Sequence, residues 1–168
     1  DLFEPFLPAE KRTKRLDASV KANDILALSG DSARGAELFA KSTSVQCRNC
    51  HKVGEVGRTI GPDLSIIARK LDRPKLVESI LEPSKTIDPQ FATYQVETAD
   101  GRVVSGILVS RTDAGLVLRD VEGKEVKLSA ADVETFTPQQ KSLMPELLVR
   151  DLTAQQFADL LAYLSALK

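Results

Sequence analysis

Cys47-Arg48-Asn49-Cys50-His51 is the most informative stretch of this sequence. The whole chain contains only two cysteines and one histidine, and all of them lie here. Two thiols separated by two residues and followed at once by an imidazole form the pattern C-x-x-C-H, through which haem is attached covalently to proteins. Each thiol can add to one vinyl group of the porphyrin, and the histidine can then bind the iron. The stretch therefore predicts a c-type haem site.

Two other kinds of site could use the same residues. A structural zinc site needs four ligands, mostly Cys and His, in tetrahedral geometry, and an Asp or Glu would have to complete the set here. A thioredoxin-like dithiol lies in a βαβ context at the start of a helix, whereas here a helical pattern precedes Cys47 and a glycine-rich loop follows His51. Haem attachment fits both the motif and its surroundings best.

The composition limits the remaining possibilities. The chain has 168 residues, a formal net charge of −1 and 42% hydrophobic residues, which suit one domain with a hydrophobic core. The balanced charge argues against a nucleic-acid-binding protein, which usually carries a basic excess. No apolar run approaches the roughly 18 residues that indicate a membrane-spanning helix. Because the sequence begins at Asp1, we interpret it as a mature form or an excised piece of a longer protein.

Helical patterns lie on both sides of the CxxCH stretch. Asp31 is a candidate N-cap for the first helix, and Thr153 with Gln156 forms a capping box for the last. Apolar residues follow that box at intervals of three and four, so we expect the first and last helices to pack together. The predicted helices cover residues 32–41, 64–71, 75–81 and the segment from Thr153 onwards.

The pattern changes to alternating polar and apolar residues in the middle of the chain. Short runs rich in β-branched residues are separated by turn signals such as Asp100-Gly101. Such spacing predicts a small antiparallel meander or barrel, and it is similar to that of SH3-like or Sm-like barrels. The predicted strands cover residues 91–98, 102–110, 116–121, 125–128 and 133–136.

Met144 is the candidate for the second axial ligand of the iron. No second histidine exists, and Met144 is the only methionine of the chain. His/Met ligation is a standard arrangement in cytochromes c and raises the reduction potential. Pro145 restricts the conformation of the residue before it, which suits a ligand loop. A lysine ligand, an open iron site and plain core packing of Met144 remain alternatives.

Taken together, these motifs resemble the class I cytochrome c family, and most closely the haem-binding domain at the C-terminus of large proteins of planctomycete-type bacteria. The resemblance covers about residues 30–168. It implies a mostly α-helical class I cytochrome c fold around one haem, interrupted by a β insertion. The stretches that carry it are GDSARGAELF, CRNCHKVG, GPDLSIIARK, ESILEPSKTIDPQF, SLMPE and DLLAYL.

The resemblance also assigns roles to individual residues. Pro62 would offer its carbonyl oxygen to the Nδ1–H of His51, which would fix the imidazole, and Leu64 would pack on the haem face. Gly35 and Phe39 would lie where the first helix crosses the last, near Leu160 and Tyr163. Leu64 and Phe39 would fit ordinary core packing equally well.

One departure from small class I cytochromes concerns the spacing of the axial ligands. His51 and Met144 are 93 positions apart, more than in small members of the family, and the strand-rich stretch at about residues 91–136 accounts for the excess. We interpret this stretch as a β insertion that shields the haem or serves as a docking module. Residues 1–29 are expected to form an N-terminal extension or the end of a preceding domain.

The sequence thus predicts an electron-transfer protein rather than an enzyme. One covalent haem c would carry single electrons to redox partners that dock transiently. Because haem is attached to CxxCH outside the bacterial cytoplasm, we expect a periplasmic or exported location. Two alternatives stay open: a five-coordinate haem that senses a gas or acts as a peroxidase, and an electron-relay domain of a larger dehydrogenase.

Overall fold

The computed structural model describes residues 13–168, together with residues 6 and 8. Short 3-10 turns lie at Cys47–Asn49, Ile67–Arg69, Pro89–Phe91 and Ala130–Asp132. The helices are α1 (Ala22–Leu26), α2 (Ser32–Lys41), α3 (Arg73–Leu81) and α4 (Ala154–Ala166). The strands are β1 (Lys52–Val53), β2 (Val56–Gly57), β3 (Thr93–Thr98), β4 (Val103–Thr112), β5 (Gly115–Arg119), β6 (Glu125–Ser129) and β7 (Val133–Pro138).

The expected fold class, a mostly α-helical class I cytochrome c fold with a β insertion, is wrong. The described part of the chain is a sheet-rich α+β protein with a five-stranded antiparallel sheet and four short α-helices, of which the longest has 13 residues. The sheet is a principal layer of this fold and not an interruption of a helical one.

The helix predicted at residues 64–71 illustrates the difference. Only the 3-10 turn Ile67–Arg69 forms there, and two backbone amides of this segment are bound by distant carbonyls. The amide of Leu64 donates to the carbonyl of Lys52 at 2.8 Å, and that of Ala68 donates to Leu167 at 2.9 Å. Ala68 is the fifth residue of the predicted helix, so the contact with Leu167 replaces the i to i−4 hydrogen bond that its amide would make in a helix.

Helices α2 and α4 cross at the place that the sequence indicated. Gly35 lies so close to α4 that a Cβ on it would overlap the carbonyl oxygen of Asp159. The rings of Phe39 and Tyr163 lie 5.9 Å apart between centroids. Both helices also begin with the predicted caps, since Asp31 accepts from the amide of Arg34 and Thr153 accepts from that of Gln156.

An ion pair between a buried carboxylate and an exposed arginine connects the same two helices. Asp159 of α4 is only 2% exposed. Arg34 of α2 donates to both of its carboxylate oxygens, from Nε at 2.7 Å and from Nη2 at 2.9 Å. The amide of Asp31 and the side chain of Gln155 donate to it as well. Nothing in the sequence pattern distinguished Asp159 from a solvated residue of the last helix.

The segment before α2 is packed against the helices. Ile25 of α1 is completely buried in the main hydrophobic core, and Arg73 of α3 donates to the carbonyls of Leu26 and Leu28. Residues 16–28 therefore pack against the helical core, and they belong to the stretch 1–29 that is expected to be an N-terminal extension or the end of a preceding domain. Residues 1–5, 7 and 9–12 of that predicted extension lie outside the described residues.

All five strands predicted in the middle of the chain are present. They form one antiparallel sheet in the order β6-β5-β4-β3-β7, so the last strand returns beside the first. The sheet has its own hydrophobic cluster, centred on Val96, Leu116, Leu118 and Leu128. Register shifts occur in the β3–β7 pair and in the β4–β5 pair, and such bulges increase the local twist of a sheet.

None of the helices in the described part of the chain is both long enough and apolar enough to cross a membrane.

Candidate functional site

A cavity of about 520 Å³ is lined by residues of the helical part and of the sheet. Its volume falls in the range of about 300–1,000 Å³ that cofactor and ligand sites occupy. A smaller apolar cavity of about 110 Å³ shares part of its lining, and Leu64 lies there with Phe39. Five of the six predicted site residues line the larger cavity: Cys47, Cys50, His51, Pro62 and Met144.

The CxxCH stretch is a tight turn and not the end of a helix. Helix α2 ends at Lys41, and Cys47 begins a single 3-10 turn. The amides of Cys50 and His51 both donate to the carbonyl of Cys47, at 3.2 and 2.9 Å. This turn places both thiols and the imidazole at the wall of one cavity.

Both thiols are free and partly buried. Burial raises the pKa of Cys47 to about 11, with a smaller contribution from the neighbouring Cys50. Burial also raises the pKa of Cys50, against the opposing effect of Arg58. Nucleophilic cysteines of disulfide oxidoreductases have a lowered pKa, so this pair lacks the electrostatics of a thioredoxin-like site.

The donor set also fails to complete a zinc site. A structural zinc ion needs four ligands. Within residues 13–168, no three Cys, His, Asp or Glu side chains are grouped so that they could hold a metal ion together. Among these described residues, neither Asp nor Glu thus supplies the ligand that the zinc alternative requires.

The imidazole of His51 is held in one orientation. Its Nδ1 lies 2.8 Å from the backbone carbonyl oxygen of Pro62, the partner that the resemblance implied. A carbonyl oxygen can only accept, so Nδ1 carries the proton and Nε2 keeps its lone pair. Burial lowers the pKa of His51, against the raising effect of the Pro62 hydrogen bond. The neutral ring is therefore the form expected at pH 7, and its Nε2 is available as a metal ligand.

The segment that follows the β1–β2 hairpin is hydrogen-bonded to the CxxCH turn. The amides of Ile60 and Gly61 donate to the carbonyl of Cys50, at 3.0 and 2.8 Å, and that of Arg58 donates to the carbonyl of Arg48. Gly61 lies directly on the imidazole, since a Cβ there would be 2.7 Å from Cε1 of His51. Glycine is needed at that position because any side chain would displace the ring.

Met144 is half-buried in the loop between β7 and α4. Its amide donates to Oγ of Ser142 at 3.1 Å. The amide of Ser142 in turn donates to Oγ of Ser84 at 3.2 Å, which ties the loop to the segment after α3. Met144 lines both cavities, and so does His51.

Sequence reasoning missed the residues that the sheet side of the molecule contributes. Phe91, Ile107 of β4 and Val121 of the β5–β6 turn line the larger cavity. Their sequence positions carry no distinguishing signal, since each is one apolar residue in a strand-rich region. Only the docking of the sheet beside the CxxCH turn brings them to the site.

The chain matches no protein-family model and no curated protein at a significant level.

Proposed function

We propose that this chain is a monohaem c-type cytochrome that transfers single electrons. The haem would be attached to Cys47 and Cys50, and its iron would be held by His51 and Met144. The observation that carries this proposal is the shared cavity, whose wall contains both thiols, the imidazole and the only thioether of the chain. When bound, the haem supplies an iron that alternates between Fe(II) and Fe(III).

The side chains present suit that group. His51 has the tautomer that a metal ligand requires, because Pro62 holds the proton on Nδ1 and such outer contacts orient and tune a ligating histidine. The thiols are free and neutral, which is the state that precedes thioether formation. Leu64 and the apolar lining of the adjoining cavity would keep water from the porphyrin face.

Met144 is supported as the second ligand by what else lines the cavity. No lysine or arginine is among the residues that line it in the described part of the chain, which disfavours a lysine ligand. Apart from the cysteines and His51, Asp88 is its one ionisable residue. A peroxidase usually needs a distal histidine or arginine, so electron transfer fits this lining better than peroxide chemistry.

The partners and the location are part of the same proposal. A haem-bearing chain of this size would exchange electrons with redox proteins through small, transient contacts. It could also relay electrons from a dehydrogenase to which it is fused or bound. Attachment of haem to CxxCH implies a periplasmic or exported protein.

Covalent haem attachment is directly measurable. We expect the chain, expressed in the bacterial periplasm with a haem-attachment system, to be red and to keep one haem after denaturation, as mass spectrometry of the intact protein would show. The double variant Cys47→Ala/Cys50→Ala should lose the covalent haem, whereas Ser44→Ala, which alters another residue of the same cavity, should keep it. A colourless protein that carries zinc or free thiols would refute the proposal.

A further inference from the structure

The sheet lies directly beside the predicted haem cavity. Ile107 is 6% exposed, yet it belongs neither to the helical core nor to the cluster inside the sheet. It pairs with Thr93 across β3 and β4, and directly paired residues share one face of a sheet. The hydroxyl of Thr93 is buried and has no hydrogen-bond partner. The Thr93–Ile107 end of this face is therefore covered, whereas Gln95 and Ser105 farther along the same face are exposed, and Ile107 lines the cavity.

The β5–β6 turn is fastened to the loop that holds His51. Gly123 packs on the side chain of Ile60, since a Cβ there would lie 3.2 Å from its Cγ1. Arg119 extends its guanidinium to the carbonyl of Thr59 at 3.4 Å. Val121 lies within this turn and lines the cavity, although 62% of its surface is exposed. It therefore marks the place where the sheet reaches the mouth of the cavity.

The opposite end of the sheet is connected to the Met144 loop. The amide of Gln139, just after β7, donates to the carbonyl of Thr93 at 2.8 Å. Three residues later, the amide of Ser142 is bound by Ser84. The sheet thus contacts the loops on which both axial ligand candidates lie.

We propose that the sheet is a wall of the haem cavity and that Ile107 and Val121 are residues that set the reduction potential. This inference rests on the proposed haem attachment. Apolar side chains in the wall exclude water and keep the surroundings of the iron at a low dielectric constant. Burial and nearby charge are among the properties by which a protein tunes a haem, and charges interact more strongly where water is excluded.

Charge substitution at Val121 tests the proposal with an internal control. The variants Val121→Asp and Val121→Lys are to be compared with Val103→Asp and Val103→Lys. Val103 is 59% exposed on β4 of the same sheet, but it does not line the cavity. Because Val121 and Val103 are both largely exposed, a charged side chain at either position can reach solvent, and all four variants are expected to fold. The readout is the midpoint potential from spectroelectrochemical titration at low salt.

We expect the two Val121 variants to shift the potential in opposite directions. Asp should lower it, because a negative charge stabilises the ferric state, and Lys should raise it. A change of tenfold in the reduction equilibrium corresponds to about 59 mV for one electron. The Val103 pair should leave the potential unchanged. Equal shifts at both positions, or none at Val121, would overturn the proposal.

A second comparison tests the buried side chain of Ile107. Ile107→Ala should lower the potential, because it admits water beside the haem. Leu118→Ala, which truncates a fully buried residue of the sheet's own cluster, should lower thermal stability without changing the potential. A potential that depends on Leu118 and not on Ile107 contradicts the proposal. Absence of haem from the unmodified protein would instead refute the proposed function, so the two failures are distinguishable.

Discussion

Nδ1 of His51 donates a hydrogen bond of 2.8 Å to the backbone carbonyl oxygen of Pro62. The acceptor is a main-chain atom, and the two loop residues before Pro62, Ile60 and Gly61, both donate their amides to the carbonyl oxygen of Cys50. The orientation of the imidazole therefore depends on the path of this loop and not on another side chain. Small changes in the loop should consequently be visible at the proposed iron ligand.

Gly61→Ala should disturb the imidazole most directly. The added Cβ would lie 2.7 Å from Cε1 of His51, so the ring or the loop has to move. Overpacking of this kind typically costs about 1–3 kcal/mol. We expect a smaller fraction of haem-loaded protein with an altered Soret band, measured by absorption spectroscopy. Gly101→Ala is the control for general destabilisation, because the φ of +81° at Gly101 strains an alanine there although its Cβ meets nothing within 4 Å; an equal loss in both variants would show only general destabilisation.

Met144→Ala should remove the sulfur ligand of the proposed haem. The oxidised protein should lose its weak absorption band at the red end of the visible spectrum, and the potential should become more negative, because a methionine ligand raises it. The reduced variant should bind carbon monoxide rapidly, whereas the unmodified protein should bind it slowly or not at all. Leu143→Ala truncates the neighbouring residue of the cavity wall and should leave the band in place. Rapid carbon monoxide binding by the unmodified protein would favour the five-coordinate alternative.

Ser84→Ala should loosen the loop that carries Met144. It removes the acceptor of the Ser142 amide, which lies 58 positions away in sequence, and a hydrogen bond of this kind contributes about 1 kcal/mol. We expect faster hydrogen exchange at residues 142–144 and faster displacement of the methionine by added imidazole. Ser129→Ala is the control, because it also removes a hydroxyl hydrogen bond, but one made to Asp132 and not to the Met144 loop. Unchanged exchange in Ser84→Ala would show that the loop is held by packing alone.

Asp159→Asn should lower stability in a pH-dependent manner. The hydrogen bonds from Arg34 lower the pKa of Asp159 from 3.8 to about 2, although burial opposes them. A carboxyl group whose pKa is lowered by folding stabilises the fold at pH values above its ordinary pKa, and this contribution is lost as the pH falls towards 2. We expect the variant to lose about 2 kcal/mol at pH 7, and much less near pH 2.

Urea unfolding at pH 7, 4 and 2.5 measures this difference. Asp113→Asn, in an exposed turn of the sheet, serves as the matched control and should change stability little at any of the three values. A deficit in Asp159→Asn that stays constant down to pH 2.5 would show that lost packing, and not the ionised carboxylate, causes the destabilisation.

The sequence by itself determined the local features of this protein. The CxxCH stretch, the caps at Asp31 and Thr153 and the five strands between residues 91 and 138 all depend on residues only a few positions apart. Caps and turns join residues only a few positions apart, and the alternation that marks a strand is local as well, so the pattern of residue types was sufficient to predict these features, although not which strands pair. Gly35 was likewise recognisable, although the reason came from a resemblance.

Only the tertiary structure decided which of these features form the layers of the fold. The segment at residues 64–71 has a helical pattern, yet its amides are bound by Lys52 and Leu167. Asp159 is buried where α2 and α4 cross, and its partner Arg34 lies 125 positions away in the sequence. Ile107 belongs to the cavity because the sheet docks beside His51. Each outcome is set by contacts between distant segments, whose free energy outweighs local preference and leaves no periodic signal in the sequence.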